Sequence, residues 1–156
     1  MNIVWFKRDL RLHDNEALYQ ALQSSGKVLL LYILEPSLVN DIHYSQRHFD
    51  FIKQSLEELQ KELLPFHTQI LIVEEEAIVV FKKLINMVAV NGIYSNQETG
   101  IKLTFDRDLE VAELFREHGI PWHEYVTNGV IRGLQNRKNW KEDWYDFMAK
   151  PLFPFE

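Results

Sequence analysis

The sequence predicts an α/β fold: a doubly wound, Rossmann-like five-stranded parallel sheet in the order 3-2-1-4-5, with helices on both faces. Short apolar runs of strand length alternate with longer runs of helical period. The second strand run, Val28 to Leu34, is unbroken by any polar residue, as expected of a strand covered on both faces. Strands that alternate with helices imply right-handed parallel crossovers, and 156 residues at 46% apolar content suit one domain with a sizeable core.

Taken in order, Ile3 to Phe6 reads as a buried strand stopped by the charged run from Lys7 to Asp14. Asp14 is the expected cap of a helix in which Ala17, Leu18, Ala21 and Leu22 recur at helical spacing, with Glu16 in its first turn and Gly26 as its left-handed stop. After the second strand, a loop from Glu35 to Tyr44 leads to a long helix in which Phe49, Ile52, Leu56, Leu59 and Leu63 step by three and four, ended by Pro65. Gln69 to Val73 is the third strand, and Glu74, Glu75 and Glu76 then complement the positive end of a helix with Ala77, Val80, Phe81, Leu84, Ile85 and Val88 on its inner side. Gly92 to Tyr94 makes a short fourth strand, and Ser95 to Thr104 a polar loop. A helix follows with Leu109, Ala112 and Phe115 inward and Gly119 at its end, and Ile120 to Tyr125 is the fifth strand. Beyond Thr127 the periodicity fades into a connecting segment with one helix around Lys141 to Met148.

Composition narrows the chemistry. A net charge of −6 argues against binding a phosphate backbone over the whole surface. Zero cysteines exclude disulfides, thiol catalysis and cysteine-ligated metal centres, and fit a reducing compartment. Met1 leads directly into an apolar run ending at Lys7 and Arg8, the reverse of a secretory charge order, and no apolar run is long enough to span a bilayer. The expectation is a soluble, cytoplasmic protein with no membrane partner.

In an open parallel sheet a ligand lies outside the carboxyl ends of the strands, where the strand order reverses. For this order the reversal falls between strands one and four, so the loops from Lys7 to Asp14 and from Ser95 to Thr104 should face each other across a slot for a flat ligand. Lys7, Arg8 and Arg11 could bind an anionic group, although Asp9 and Asp14 are placed to neutralise them locally. Asn96, Gln97 and Glu98 offer donors and acceptors suited to a pteridine, flavin or purine edge. No glycine-rich or Walker-type phosphate loop is present. His43 and His48 flank Arg47 without an acidic residue at metal-ligand spacing, so no metal site is expected, and no serine, histidine and acid form a recognisable triad.

Val4-Trp5-Phe6-Lys7-Arg8-Asp9-Leu10-Arg11-Leu12-His13-Asp14-Asn15-Glu16-Ala17-Leu18 closely resembles the opening of DNA photolyases and cryptochromes. Similarity continues through Glu35-Pro36, through Ser45, Arg47, Phe51, Ser55, Leu56 and Leu59, and through Arg107-Asp108-x-Glu110-Val111. The segment from Thr127 to Gly133 and on through Trp144-Tyr145 is similar to a bacterial cryptochrome-like branch. The resemblance implies an amino-terminal domain, residues 1–126, that binds an antenna chromophore, followed by an interdomain linker, residues 127–156. It implies that FAD, the electron-transfer tryptophans and the groove for damaged DNA belong to a helical carboxyl-terminal domain outside this sequence. In a full-length parent, excitation would pass from antenna to reduced flavin, whose electron splits a cyclobutane pyrimidine dimer; this chain alone should be inactive.

Carried over residue by residue, the resemblance places Arg8, Asp9, Arg11, Glu35, Arg47, Asn96, Gln97 and Glu98 near the antenna pocket. The Asn-Glu pair that grips folate in some members aligns with Leu103 and Thr104, so a deazaflavin, lumazine or flavin is favoured over folate. The alternatives are a cryptochrome photoreceptor that signals without repair and a free-standing nucleotide-binding module, the latter opposed by a total of six glycines. Trp140, Trp144, Tyr145, Phe147, Phe153 and Phe155 gather aromatic surface in the tail. That surface is expected to pack on the helical domain or on a second copy of the chain.

Overall fold

Alternation along the first strand builds two cores at once. In the computed structural model, which describes residues 1–155, β1 (Asn2–Phe6) is buried along its whole length. Val4 and Phe6 point to one face of the sheet and Ile3 and Trp5 to the other, the two-residue period of extended chain. β2 (Val28–Leu34) and β4 (Gly92–Asn96) flank it, β3 (Ile70–Glu74) and β5 (Trp122–Tyr125) form the edges, and every pairing is parallel in the order 3-2-1-4-5.

Helices α1 (Glu16–Gln23) and α3 (Gln46–Leu63) cover one face, where Leu18, Ala21, Leu56, Leu59 and Leu63 meet Val4, Phe6, Leu30 and Tyr32. Helices α4 (Ala77–Met87) and α5 (Lys102–Glu117) cover the other. There Phe81 and Phe115 pack edge-on, with centroids 4.9 Å apart, and Phe81 stands 4.9 Å from Trp5. A short α2 (Pro36–Val39) occupies the stretch expected to be all loop. No helix among the described residues is long and apolar enough to cross a membrane.

Four local expectations are corrected. Asp14 does not cap α1: its φ is 51°, a left-handed turn position, and Asn15 is the cap, its Oδ1 accepting from the Leu18 N–H at 3.1 Å. Ser95 and Asn96 continue β4 rather than opening a loop, because their backbones still pair with neighbouring strands. In α5 the buried stripe is Thr104, Asp108, Val111, Leu114 and Phe115, while Leu109 is 57% exposed. Phe115 is buried as expected, but two of the five inward positions are polar, so apolar spacing alone misplaces Leu109. Glu76 does not serve its own helix end: its carboxylate accepts from the Ser37 N–H and hydroxyl, both at 2.8 Å.

The tail also differs from expectation. After β5 the chain forms α6 (Trp140–Met148) and returns to the domain: the Asp14 N–H donates to the Phe153 carbonyl at 2.8 Å, Phe153 packs on Tyr19, and Phe155 on Phe66 and His13. Phe153 and Phe155 are therefore covered by the domain itself, whereas Trp140, Trp144 and Tyr145 stay exposed.

Asn15 is buried, and its amide also donates to the Asp9 carboxylate and the Arg11 carbonyl, both at 3.1 Å. Asn15→Ala should lower stability by about 2–3 kcal/mol, a lost cap plus stranded buried acceptors, while Asp14→Gly should change it by less than about 0.5 kcal/mol. Chemical denaturation of the two variants checks the assignment; equal losses would return the cap to Asp14.

Candidate functional site

Two loops meet at the sheet's reversal point, and they close it. Asp9, at the end of β1, accepts from the Asn96 amide at 2.6 Å across the gap and from its own Lys7 N–H at 3.1 Å. Arg8 reaches Glu98 at 3.6 Å. Only a cleft of about 140 Å³ remains there, lined in part by Asn96, Gln97 and Thr99. The expected slot between strands one and four is thus narrowed to that cleft by the domain's own side chains.

A larger cavity, about 640 Å³, opens one strand over, above the carboxyl ends of β1 and β2. This lies within the range of small-molecule sites. Phe6, Tyr32, Leu34, Phe49 and Ile52 supply an apolar wall, and polar groups collect at the floor and mouth. Pro36 starts α2 at once after β2, and α3 follows soon after, so the first turns of α3 overhang the strand ends and add Arg47, Phe49 and Phe51 to the cavity lining.

Of the eight residues expected at the site, Arg8, Asp9, Arg11, Glu35, Arg47 and Glu98 line this cavity, and Asn96 and Gln97 do not. Asn96 sits on the strand, tied to Asp9, with its Oδ1 buried and unpartnered among the described residues. Arg11 is committed to its own loop, donating to the Asp14 carbonyl at 2.8 and 3.0 Å. Arg8 donates to the Tyr44 hydroxyl at 3.1 Å. Arg47 is exposed at the mouth and forms no ion pair among the described residues. His48 accepts from the Ser45 N–H at 3.0 Å and so caps α3, and His43 pairs with Asp41 at 2.7 Å.

The floor is an ionic cluster that the sequence reasoning did not place at the site. Arg107 of α5 contacts Glu35 at 2.5 Å, Asp108 at 2.8 Å and Glu98 at 3.1 Å, all four side chains being nearly solvent-free. Lys7 adds a 2.7 Å bond to Asp108. Glu35 turns its other oxygen to the Ala77 N–H at 3.2 Å and thereby caps α4. Burial holds the Glu35 carboxyl above its ordinary value, against the opposing pull of Arg107, and the surrounding carboxylates keep Arg107 firmly protonated. The Lys7 ammonium is lowered by desolvation, opposed by Asp108. Tyr32, on the wall, is pushed up to about 12, first by burial and then by Glu35. The available signal for Arg107 was the Arg107-Asp108 pair itself, which no helical hydrophobic pattern explains.

These features define a class: a doubly wound α/β domain with a ligand-sized cavity, apolar on one side and ionic on the other, at the ends of its central strands. Residues 2–146 match the family model for DNA photolyase, and the chain belongs to that family. It is 32% identical over 135 residues to a deoxyribodipyrimidine photo-lyase of Vibrio cholerae, a match covering 84% of this chain and 29% of that protein. Cryptochrome-2 of Gallus gallus is 30% identical over 122 residues, covering 76% of this chain and 20% of its own length. The chain therefore spans less than a third of these relatives. Among solved structures, an archaeal photolyase from Sulfolobus tokodaii superposes over 100% of this chain and 37% of its own with TM-score 0.81 at 24% identity. A Synechocystis cryptochrome covers 99% of this chain and 35% of its own with TM-score 0.83 at 20% identity. At such identities the likeness is one of fold.

Removing Arg107 would leave Glu35, Glu98 and Asp108 short of their shared cation. Arg107→Met should cost about 3–5 kcal/mol at pH 7. Burial already holds the Glu35 carboxyl above its ordinary value and Arg107 opposes that rise, so without Arg107 it climbs further; such a group contributes stability that is present at low pH and lost as pH climbs through the folded pKa. The variant should therefore gain stability as pH falls from about 8 to about 5, relative to the parent. Thermal unfolding across that range tests this; a flat difference would mean the carboxylates do not depend on Arg107.

Proposed function

We propose that this chain is the amino-terminal, light-harvesting domain of a deoxyribodipyrimidine photolyase-like flavoprotein, and that the cavity over β1 and β2 holds a planar antenna pigment of the deazaflavin, lumazine or flavin class. The observation that carries the reading is the cavity's division: an apolar wall suited to a ring system, and a mouth where Arg47, without an ion pair among the described residues, supplies positive charge for an anionic side arm. Tyr32 and Tyr44 add rings against which a flat ligand can pack. Bound there, such a pigment would absorb near-ultraviolet or blue light and pass the excitation on. The Sulfolobus tokodaii photolyase is described as holding two FAD molecules, with the implication of a novel light-harvesting cofactor, which agrees with a flavin-type antenna on this fold.

Folate is disfavoured. The positions aligned with the folate-gripping pair are Leu103 and Thr104, and the Thr104 hydroxyl is buried and occupied by the Ile101 carbonyl at 2.8 Å. Light-driven repair of cyclobutane dimers would belong to the full-length parent, through a helical FAD domain that contacts damaged DNA. Because the chain is about equally similar to a photolyase and to a cryptochrome, signalling without repair is the second reading. A blue-light dimer-splitting assay on the parent separates them.

Titration of the chain with FMN, riboflavin and methenyltetrahydrofolate tests pigment binding. FMN should bind in the micromolar range and the folate at least about tenfold more weakly. Arg47→Ala should weaken FMN by about tenfold while leaving riboflavin, which lacks the phosphate, within about twofold. If none of the three binds below about 1 mM, the pigment-holding role fails.

A further inference from the structure

A lysine ammonium with a side-chain exposure of 5% is an uncommon thing to build into an apolar interior, since burying a charge costs several kcal/mol even when it is paired. Among the described residues Lys7 makes one ion pair, to Asp108. Its Nζ also lies 4.4 Å from the centre of the Trp5 ring and 5.0 Å from that of Trp122. The Arg107 guanidinium carbon stands 4.9 Å from the same Trp5 ring. The two indoles are 6.0 Å apart, and Trp122 lies on the edge strand β5, half-buried. Together they form a short chain leading from the cavity lining to the edge of the sheet.

Three indole or phenol rings line the cavity: Trp5, Tyr32 and Tyr44. Each is placed so that losing an electron is difficult. Trp5 carries two cations over its ring, which favour the neutral, electron-rich indole by attraction to its face and would repel the indole radical cation. Tyr44 accepts a hydrogen bond from the Arg8 guanidinium at its hydroxyl oxygen, which again sets a cation beside the group that would turn positive. Tyr32, pushed up to about 12, holds its proton, and a phenol is readily oxidised only when that proton can leave. The remaining aromatic hydrocarbon rings on the lining, Phe6, Phe49 and Phe51, are not oxidised by excited pigments.

We infer that Lys7 and Arg107 act as an electrostatic guard on Trp5, preventing it from donating an electron to a photo-excited pigment in the cavity and so preserving the excited state for energy transfer. The inference rests on the pigment-binding reading. The step suppressed is a one-electron transfer: the indole is oxidised to its radical cation, the excited ring system is reduced by the same electron, and the excitation is lost. Lys7 guards the second indole as well. A hole on Trp5 would otherwise move to Trp122 at the sheet edge, where recombination is slowest to recover it. Lys7 and Arg107 are positioning residues here, since they act through Trp5, the ring on the cavity lining that would otherwise donate the electron.

The test uses the whole chain loaded with FMN and reads the fluorescence lifetime of the bound pigment. The parent should keep a lifetime close to that of free FMN. Lys7→Met, which removes one cation over the ring and leaves Asp108 held by Arg107 at 2.8 Å, should shorten it by at least about tenfold, because a lost repulsion at these separations changes transfer rates by that factor or more. Adding Trp5→Phe should restore the long lifetime, and Lys7→Arg alone should retain it. Circular dichroism confirms folding of each variant. A purely structural ion pair would alter stability but not the lifetime, so an unchanged lifetime in Lys7→Met overturns the inference. So does a parent lifetime already strongly shortened and lengthened by Trp5→Phe.

A pigment-free arm separates this outcome from failure of the pigment reading. The unloaded chain is exposed to photogenerated tris(bipyridine)ruthenium(III), and oxidised tryptophan is located by peptide mass spectrometry, with exposed Trp140 and Trp144 as internal references. Trp5 should be spared in the parent and oxidised at least about tenfold more in Lys7→Met. If FMN does not bind, the antenna reading falls while this arm still decides whether the charges protect the indole. Equal oxidation in both proteins would overturn the guard.

Discussion

The Arg107 guanidinium holds together parts of the molecule that no hydrophobic pattern would join. It reaches the end of β2 through Glu35, the loop after β4 through Glu98, and its own helix through Asp108. Glu35 in turn caps α4, so one cation links the second strand, the fourth strand, and both helices on that face of the sheet. An isolated charge at this depth would be strongly unfavourable, and it is tolerated because every one of its partners is itself a buried anion. The cluster is nearly closed: Lys7, Arg8 and Arg107 stand against Glu35, Glu98 and Asp108. Its geometry sets the cavity floor, since these six groups have few other places to go.

A second polar centre decides where open space is left. The Asp9 carboxylate accepts from Asn15, Asn96 and the Lys7 N–H, which fixes the first loop against α1 and against β4. The reversal point between β1 and β4 is stapled shut, and the room appears over β1 and β2, beneath the start of α3. A pair of crossed caps supports the roof and floor there: Glu35 from β2 serves the α4 N-terminus, while Glu76 beside α4 serves the first turn of α2. Each glutamate thus satisfies a backbone donor at the start of the other's helix.

Much of the scaffold is legible in the sequence for simple reasons. β2 needs no more than an unbroken apolar run, and α3 is read from residues three and four apart, so both emerge where expected. Legibility fails where polar residues go inside. Asp108 and Thr104 turn α5 about its axis relative to the apolar reading, because Lys7 and Arg107 make a buried aspartate acceptable. Asn96 looks like a loop residue by composition and is a strand residue by pairing, its amide spent on Asp9. Phe153 and Phe155, which look like spare aromatic surface, find Tyr19, Phe66 and His13 across more than eighty residues of chain in the case of Phe66.

By itself the sequence determined the number and order of the strands, the helices between them, and the end of the sheet at which polar residues gather, because hydrophobic period and parallel crossover handedness are local or nearly local properties. It also identified six of the residues that line the cavity. Tertiary structure alone decided which charges neutralise one another and hence which gap stays open. That outcome depends on Lys7 meeting Asp108 and on Arg107 meeting Glu35, pairs separated by 101 and 72 positions. Coulomb attraction between buried groups acts through space, and no periodicity along the chain records it.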